Sequence, residues 1–372
     1  MQIKQTEIKD LMAVVSITIE PADYQEEVAK QLKQLRQKAQ MPGFRPGMVP
    51  AGLVKKMYGK GVLAEVLNKL VGENLNKHIE ENNLNILGEP LPNDAETKNI
   101  DLDHEDTFTF AFDIAVAPEF DAKLNGKNKV PEYIIEATEE MIDKQIEAYT
   151  NRFGEYTPAD EEKGTQAEVK PCAVDAELFA KVYGADAPKD EAGFRARVKE
   201  DIERSLAEET KYRFGIDVKA AIMKKMEKVA FPVDFLKRWV LATNEKMTQE
   251  ELDKDFDKML EELKWHLAKD QLMKEYKIDV QKEEVEEFAK RIAKMQFMQY
   301  GLMNVDDAML ANYAQEMLKN ENQLRGIVER LVEDKLFEAI KAIVKVETKK
   351  VSQAEFDNLF KYITHYQSQI TH

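Results

Sequence analysis

The second half of the chain repeats apolar residues at the spacing of an α-helix. From Phe194 to Leu206 an apolar residue recurs every four positions among charged side chains, which predicts one helix from Asp190 to about Val229, before Pro232. At 1.5 Å per residue, such a helix is a rod of about 60 Å. Because a globular core cannot cover so long a rod, we expect it to project from the protein as an arm.

More amphipathic stretches follow this helix. They cover residues 233–275, 282–300, 306–319 and 321–345. The last three are expected to begin after side chains that accept hydrogen bonds at helix N-termini, namely Asp279, Asn304 and Asn320. The second half therefore predicts an elongated all-α domain with projecting helical arms.

The first 118 residues combine strand and helix patterns. Residues 11–20 are rich in β-formers, and residues 107–116 alternate strictly through three phenylalanines, so each segment predicts a strand. Helical spacing is found over residues 23–40 and again over about 62–81. We therefore predict an α+β fold, with an N-terminal α+β domain over residues 1–118 ahead of the helical one.

Residues 119–174 are predicted to connect the two domains. This region begins with a segment rich in Lys, Asn and Gly, followed by a predicted strand over 130–137 and a short amphipathic helix over 139–152. Residues 154–171 contain few large apolar residues and are expected to be exposed. The helical domain is then predicted to span residues 175–372.

Composition restricts the compartment in which the chain can work. Its 372 residues carry a net charge of −16 and one cysteine, Cys172, so a reducing compartment without a disulfide framework is predicted. The N-terminus lacks the continuous apolar core of a signal peptide, and no run of about 18 apolar residues predicts a membrane span. We expect a cytoplasmic protein with no membrane partner.

A basic stretch interrupts this acidic chain between Val28 and Ala64. It contains eight basic residues and no acidic one: Lys30, Lys33, Arg36, Lys38, Arg45, Lys55, Lys56 and Lys60. Residues 43–50, GFRPGMVP, have the glycines and prolines of a surface loop and present an aromatic ring and a guanidinium outward. A polyanion suits such a surface, since each phosphate contact releases counterions. A solvated basic helix face is the alternative interpretation.

Methionines are concentrated in the second half. Ten of the sixteen lie between Met223 and Met317, and they are densest over residues 295–303, MQFMQYGLM. Because methionine is flexible and polarizable, such a surface accepts many different apolar partners, although an ordinary core is the alternative. The residues predicted to bind apolar polypeptide are Met295, Phe297, Met298, Tyr300, Leu302 and Met303.

The loop also carries a family resemblance. Residues 43–50 resemble the ribosome-docking loop of trigger factor, a family of bacterial nascent-chain chaperones, in which the loop has the form G-F-R-x-G-x-x-P. Residues 54–59, VKKMYG, and 87–90, LGEP, are similar to the form of the family seen in Bacteroidetes. Residues 235–239, FLKRW, and 263–267, LKWHL, resemble parts of its C-terminal substrate domain.

This resemblance implies an ATP-independent chaperone that docks at the ribosomal tunnel exit and shields apolar segments of nascent chains. The implied partners are ribosomal protein and RNA, unfolded or nascent polypeptides, and a second copy of the chain in a weak homodimer. Ribosome binding is implied for Gly43, Phe44, Arg45, Pro46, Gly47, Lys38 and Lys55. Pro46 and Met48 stand where relatives commonly have basic residues, so this tip has fewer cations.

Signals for catalysis are weak. The five histidines have no metal-ligand spacing, Cys172 has no histidine near it in sequence, and no glycine-rich phosphate loop follows a strand, so we expect no catalytic residue, metal or cofactor. Trigger factors usually carry a prolyl isomerase module between their two halves, whereas only residues 154–171 occupy that place here. Negligible isomerase activity is therefore expected.

Three alternative functions remain open at this stage. The first is a holdase that works without the ribosome, which the reduced basic tip favours. The second is a prolyl isomerase with a diverged site. The third is a structural coiled-coil rod, against which the shifting apolar spacing argues.

Overall fold

The computed structural model describes residues 1–38, 42, 44–45, 48–97, 101–102, 104, 106–157, 168–300, 302 and 305–360. The chain divides into two compact units. Unit 1 consists of Met1–Phe120 and Lys228–Glu262, and unit 2 of Asp121–Glu227 and Leu263–His372. The helices of the described residues include none that is long and apolar enough to cross a membrane.

Unit 1 is built on a four-stranded antiparallel sheet. Its strands lie in the order β1-β2-β4-β3 and comprise β1 (Gln2–Gln5), β2 (Met12–Ile19), β3 (Leu91–Pro92) and β4 (Phe108–Ala115). The two strands predicted from the sequence are β2 and β4, and their pairing runs from Met12 opposite Ala115 to Ile19 opposite Phe108. Residues directly opposite each other share a face of the sheet, so the alternating apolar residues of both strands point to one core.

Two long helices cover that core. They are α1 (Pro21–Lys38) and α2 (Ala51–Glu81), and their apolar faces pack against the buried side of β2 and β4. The prediction that the second helix begins near Val62 is wrong, because α2 starts eleven residues earlier at Ala51. Gly52, Gly59 and Gly61 lower the helix propensity of this stretch, which hid the helix from the sequence pattern.

Unit 1 also includes α6 (Val233–Thr243) and the first part of α7 (Gln249–Tyr276). The sequence predicts one helix over residues 233–275, whereas the structure interrupts it at Asn244, which has φ −124° and ψ 87°. On α6, the Arg238 guanidinium donates to Asp113 of β4 at 2.9 Å, and Asn93 donates to the same carboxylate at 2.7 Å. Asp113 is a buried charge whose oxygens are thus satisfied by two donors.

Helices dominate unit 2, as the sequence predicts. They are α3 (Glu139–Arg152), α4 (Ala176–Tyr183), α5 (Glu191–Met226), the second part of α7, α8 (Lys282–Gln299), α9 (Asp307–Lys319) and α10 (Glu321–Lys341), and residues 353–360 are also helical. A strand that the sequence did not predict, β8 (Lys345–Lys350), pairs in parallel with β5 (Lys129–Ile134). The predicted helix over 321–345 accordingly ends at Lys341.

The long helix α5 differs from the expected projecting rod. Its 36 residues begin after Asp190, whose side chain accepts from the Gly193 backbone, as a helix N-cap does. Side chains are buried all along it, from Phe194 to Met226, so unit 2 is assembled along the length of α5. The ring of Phe194, for example, contacts the rings of Phe179, Tyr149 and Tyr183.

The segment predicted to connect the domains, 119–174, contains β5, α3 and a two-stranded antiparallel ribbon. The ribbon strands are β6 (Glu155–Thr157) and β7 (Glu168–Lys170), and residues 158–167 lie outside the described residues. α3 shares one core with α4 and α5. The domain limits at 118 and 174 stay a prediction.

The three predicted N-caps have different outcomes. Asn320 caps α10 by accepting from the backbone of Asn322 and Gln323, as predicted. The prediction of Asp279 is wrong, because the cap residue of α8 is Gln281. Asn304 lies outside the described residues, and the cap position of α9 is Asp306.

Candidate functional site

The first candidate site is the basic hairpin, by which we mean residues 28–64: the second half of α1, the loop and the first part of α2. The two helices pack through a narrow apolar seam of Val28, Leu32, Val62 and Leu63. Between the buried Val54 and Val62, by contrast, α2 exposes most of its residues. The sequence thus folds into a helical hairpin in which Val49 and Val54 are buried and most of residues 55–61 are exposed.

The loop is anchored on its C-terminal side. Arg36 of α1 donates from Nε to the carbonyl oxygen of Val49 at 2.8 Å, and Val49 is fully buried. The Met48 backbone N–H donates to the carbonyl oxygen of Arg45 at 2.9 Å, and Pro50 accepts the first backbone bonds of α2. Arg36 therefore uses its Nε–H to position the loop, while its guanidinium keeps its charge.

Some of the predicted ribosome-binding residues are described. Phe44 has 41% of its surface exposed, and Arg45, Lys38 and Lys55 are exposed as well. Within the described part of the chain, these three cations form no ion pair with a carboxylate. Gly43, Pro46 and Gly47 lie outside the described residues.

Sequence reasoning missed two apolar residues of the basic hairpin. Met57 and Tyr58 of α2 are 57% and 40% exposed, and Met48 of the loop is 69% exposed. Their chain neighbours are Lys55, Lys56 and Lys60. The available signal was helical spacing, because Tyr58 lies four residues from both Val54 and Val62 and so continues the same face of α2. The hairpin thus offers cations and apolar side chains together.

The second candidate site is the α8–α9 patch, which we define as Met295, Met298, Tyr300, Leu302, Met309 and Tyr313. All six side chains are exposed, from 42% for Tyr313 to 85% for Tyr300. The first four were predicted from the sequence, and Met309 and Tyr313 of α9 were not. Because α9 was read as an ordinary amphipathic helix, its exposed edge gave no separate signal.

Phe297 and Met303 complete the predicted set. Phe297 packs partly into the core of α8, α9 and α10, with its ring edge-on to Tyr313 at 5.2 Å between centroids. Phe297 therefore mainly packs against this core and Tyr313, and it contributes little to the exposed surface of the α8–α9 patch. Met303 lies outside the described residues.

Hydrogen bonds fix the beginning of α8, opposite the end that carries the patch. The Gln281 backbone N–H donates to Glu284 at 2.8 Å, and Lys335 of α10 donates to Glu284 at 2.7 Å. These two donors, in that order of importance, lower the pKa of the Glu284 carboxyl. The apolar face of α8 is buried through Val285, Ala289 and Ala293, and exposure begins with the last turn.

The side chains that the two sites expose in the described part of the chain are mainly cationic and apolar. Among the described residues, no group of three or more His, Cys, Asp or Glu side chains is placed to hold a metal ion. A depression of about 410 Å³ in unit 2 is open, and its lining includes several cations and carboxylates such as Lys211 and Asp334, which pair at 3.5 Å. What both sites offer is binding surface: cationic and apolar in unit 1, apolar in unit 2.

Two family models match the chain. The model described as bacterial trigger factor protein matches residues 1–149, and the one described as probable trigger factor, C-terminal domain, matches residues 210–360. The first match contains the whole basic hairpin, and the second contains the whole α8–α9 patch.

Curated trigger factors are similar over part of their length. The sequence from Hyphomonas neptunium is 28% identical over 167 residues, or 45% of this chain and 37% of that protein. The one from Agrobacterium fabrum is 30% identical over 149 residues, or 39% of this chain and 30% of that protein. The matches thus span about a third of these relatives.

A solved structure shares the fold. It is a trigger factor chaperone structure from work on promiscuous substrate recognition in folding and assembly. The superposition has a TM-score of 0.53 with 13% sequence identity, and it covers 91% of this chain and 99% of that chain.

Proposed function

The chain belongs to the trigger factor family, and from this premise we propose that it is a chaperone that docks on the ribosome and shields nascent polypeptide. The observation that carries the proposal is the basic hairpin. In a chain of net charge −16, it groups eight basic residues with exposed Phe44 and Met48 at one end of a helical pair. Such a surface suits an acidic, structured partner with apolar niches, as ribosomal RNA and protein provide.

Docking proceeds in this proposal through the predicted residues of the loop and its flanks. Arg45 pairs with phosphate or acidic side chains, Lys38 and Lys55 add flanking charge, and Phe44 enters an apolar niche at the tunnel exit. Gly43, Pro46 and Gly47 belong to the same proposed set of docking residues. The proposed partners also include a second copy of the chain, with which the free protein associates weakly. The proposed compartment is the cytoplasm.

Client binding takes place on the α8–α9 patch. Exposed methionine and tyrosine side chains bind varied apolar segments weakly, because methionine adapts its shape to its partner. Tethering at the ribosome raises the effective concentration of the patch near emerging chain, so weak contacts suffice. Release then needs no nucleotide, and the proposal includes neither a cofactor nor isomerase activity.

The salt dependence of ribosome binding tests the proposal that the basic hairpin docks on the ribosome. If three cations contact phosphate, affinity for purified ribosomes is expected to fall about 40-fold between about 50 and about 200 mM salt. Co-sedimentation across a salt series measures this slope. Binding that is independent of salt would contradict phosphate-based docking and would favour the ribosome-independent holdase.

Polar substitution of the α8–α9 patch tests the proposal that this patch binds unfolded polypeptide. The variant M298S/Y300S is expected to need about tenfold more protein to suppress the aggregation of a heat-unfolding test enzyme, because two apolar contacts are lost. Light scattering measures this. The matched control is Y156S/V169S, an exposed cross-strand pair on the β6–β7 ribbon, 67% and 43% exposed. Equal loss in both variants would remove the patch from the mechanism.

A further inference from the structure

The methionines of unit 2 differ sharply in exposure. Met295, Met298 and Met309 are 56%, 46% and 55% exposed, and all three belong to the α8–α9 patch. The other methionines in the described part of unit 2 are half-buried or buried: Met141, Met223, Met226, Met273 and Met317. Exposed thioethers are therefore concentrated where the proposed function needs an apolar surface.

We propose that Met295, Met298 and Met309 are sites of reversible oxidation, through which a peroxide lowers the affinity of the α8–α9 patch for unfolded polypeptide. The inference rests on the proposed function for its consequence, but the chemistry depends only on exposure. A thioether that solvent reaches reacts with peroxide, whereas packed side chains shield the sulfur of a buried methionine.

The reaction is a transfer of one oxygen atom. A lone pair of the methionine sulfur attacks one peroxide oxygen, the O–O bond breaks, and a sulfur–oxygen bond forms. With hydrogen peroxide, the departing hydroxide takes up the proton released from the transferred oxygen and leaves as water. The sulfur loses two electrons to the peroxide, and the product is methionine sulfoxide, which methionine sulfoxide reductases convert back.

The position of these residues decides what oxidation does. A sulfoxide is polar, so it opposes the burial of the side chain against an apolar client. The fold is spared, because the core beneath the patch consists of other residues, including Val285, Ala289 and Leu310. Oxidation of buried Met226 or Met317 would instead place a polar group in the core. Loss of binding without loss of stability therefore distinguishes the three exposed sites.

The experiment treats the full-length protein with a limited amount of hydrogen peroxide. Peptide mapping by mass spectrometry is expected to show a gain of about 16 Da at Met295, Met298 and Met309 before the half-buried methionines of unit 2 react. Affinity for a fluorescein-labelled, unstructured peptide rich in Leu and Phe is expected to fall about tenfold, while the thermal midpoint of unfolding stays unchanged. Methionine sulfoxide reductase is expected to restore affinity.

Two leucine variants complete the test, because leucine keeps the apolar surface but cannot be oxidised. Peroxide is expected to leave the affinity of M295L/M298L/M309L for the peptide at the value that this variant has before treatment. The matched control M141L/M223L/M273L keeps the three exposed thioethers and is expected to lose affinity as the unsubstituted protein does.

The outcomes separate the two proposals. A peroxide effect that persists in M295L/M298L/M309L, or oxidation of the half-buried methionines first, overturns the inference. Failure of the untreated protein to bind the peptide would instead contradict the proposed function.

Discussion

Replacing Phe44 and Arg45 with alanine is expected to lower affinity for the ribosome by at least about 100-fold. Both side chains are exposed at the loop of the basic hairpin, and neither belongs to the core of unit 1. An arginine and an aromatic residue that become buried in an interface are the residue types that most often dominate binding energy. Co-sedimentation of F44A/R45A with purified ribosomes measures the loss.

The matched control for this variant is Lys77→Ala. Lys77 lies on the same helix, α2, but outside the basic hairpin, with its side chain 68% exposed and 3.7 Å from Glu81. Loss of so exposed a pair is expected to leave stability and ribosome binding within about twofold. If F44A/R45A binds ribosomes as K77A does, the docking surface lies elsewhere on the chain.

Replacing Gly88 with alanine is expected to destabilise unit 1 by about 2–4 kcal/mol. Gly88 has φ +69°, a left-handed conformation that favours glycine, and a Cβ built there would lie 2.7 Å from the ring of Trp239. The turn itself is held against the end of β4, because Leu87 donates to the carbonyl oxygen of Ala115 at 2.8 Å. An alanine at this position therefore requires the turn or the indole to shift.

Urea denaturation followed by tryptophan fluorescence measures this effect. The chain has two tryptophans, and the Trp265→Phe background leaves Trp239 as the reporter of unit 1. Gly72→Ala on α2 is the control, since a Cβ there meets nothing within 4 Å and the change should stabilise the helix by about 0.5–1 kcal/mol. An unchanged midpoint for G88A would show that the close approach of Trp239 is not a constraint.

Elements with a strong periodic pattern could be predicted from the sequence. The strands β2 and β4 alternate cleanly, and α3, α5, α8, α9 and α10 repeat apolar residues at helical spacing, so each was located within a few residues. The N-terminal part of α2 was missed, since its glycines and exposed lysines obscure the apolar spacing of Val54, Tyr58 and Val62. β8 was missed as well, because Lys345–Lys350 is mostly polar and becomes a strand only through its pairing with β5.

The candidate sites show the same division. Segments of unusual composition could be selected from the sequence as candidate binding surfaces. They include Phe44, Arg45 and the methionines from Met295 onward. Sequence could not separate Phe297, which packs against Tyr313, from Met298, which is exposed. Nor could the sequence show that Arg36 donates a hydrogen bond to the carbonyl oxygen of Val49, whereas Lys38 is exposed. The roles of the site residues themselves stay predictions.

By itself, the sequence indicated the family through the resemblance of its motifs, above all residues 43–50. It also determined the α+β class with a helical second half and the placing of cations and methionines in two separate stretches, because composition and periodicity are local properties. Tertiary structure alone decided which of those residues are free to bind. It also placed LGEP and FLKRW, more than a hundred residues apart in the chain, in contact through Gly88 and Trp239. Whether a side chain is buried depends on whether a distant segment of the chain packs over it, and a local sequence pattern does not contain that information.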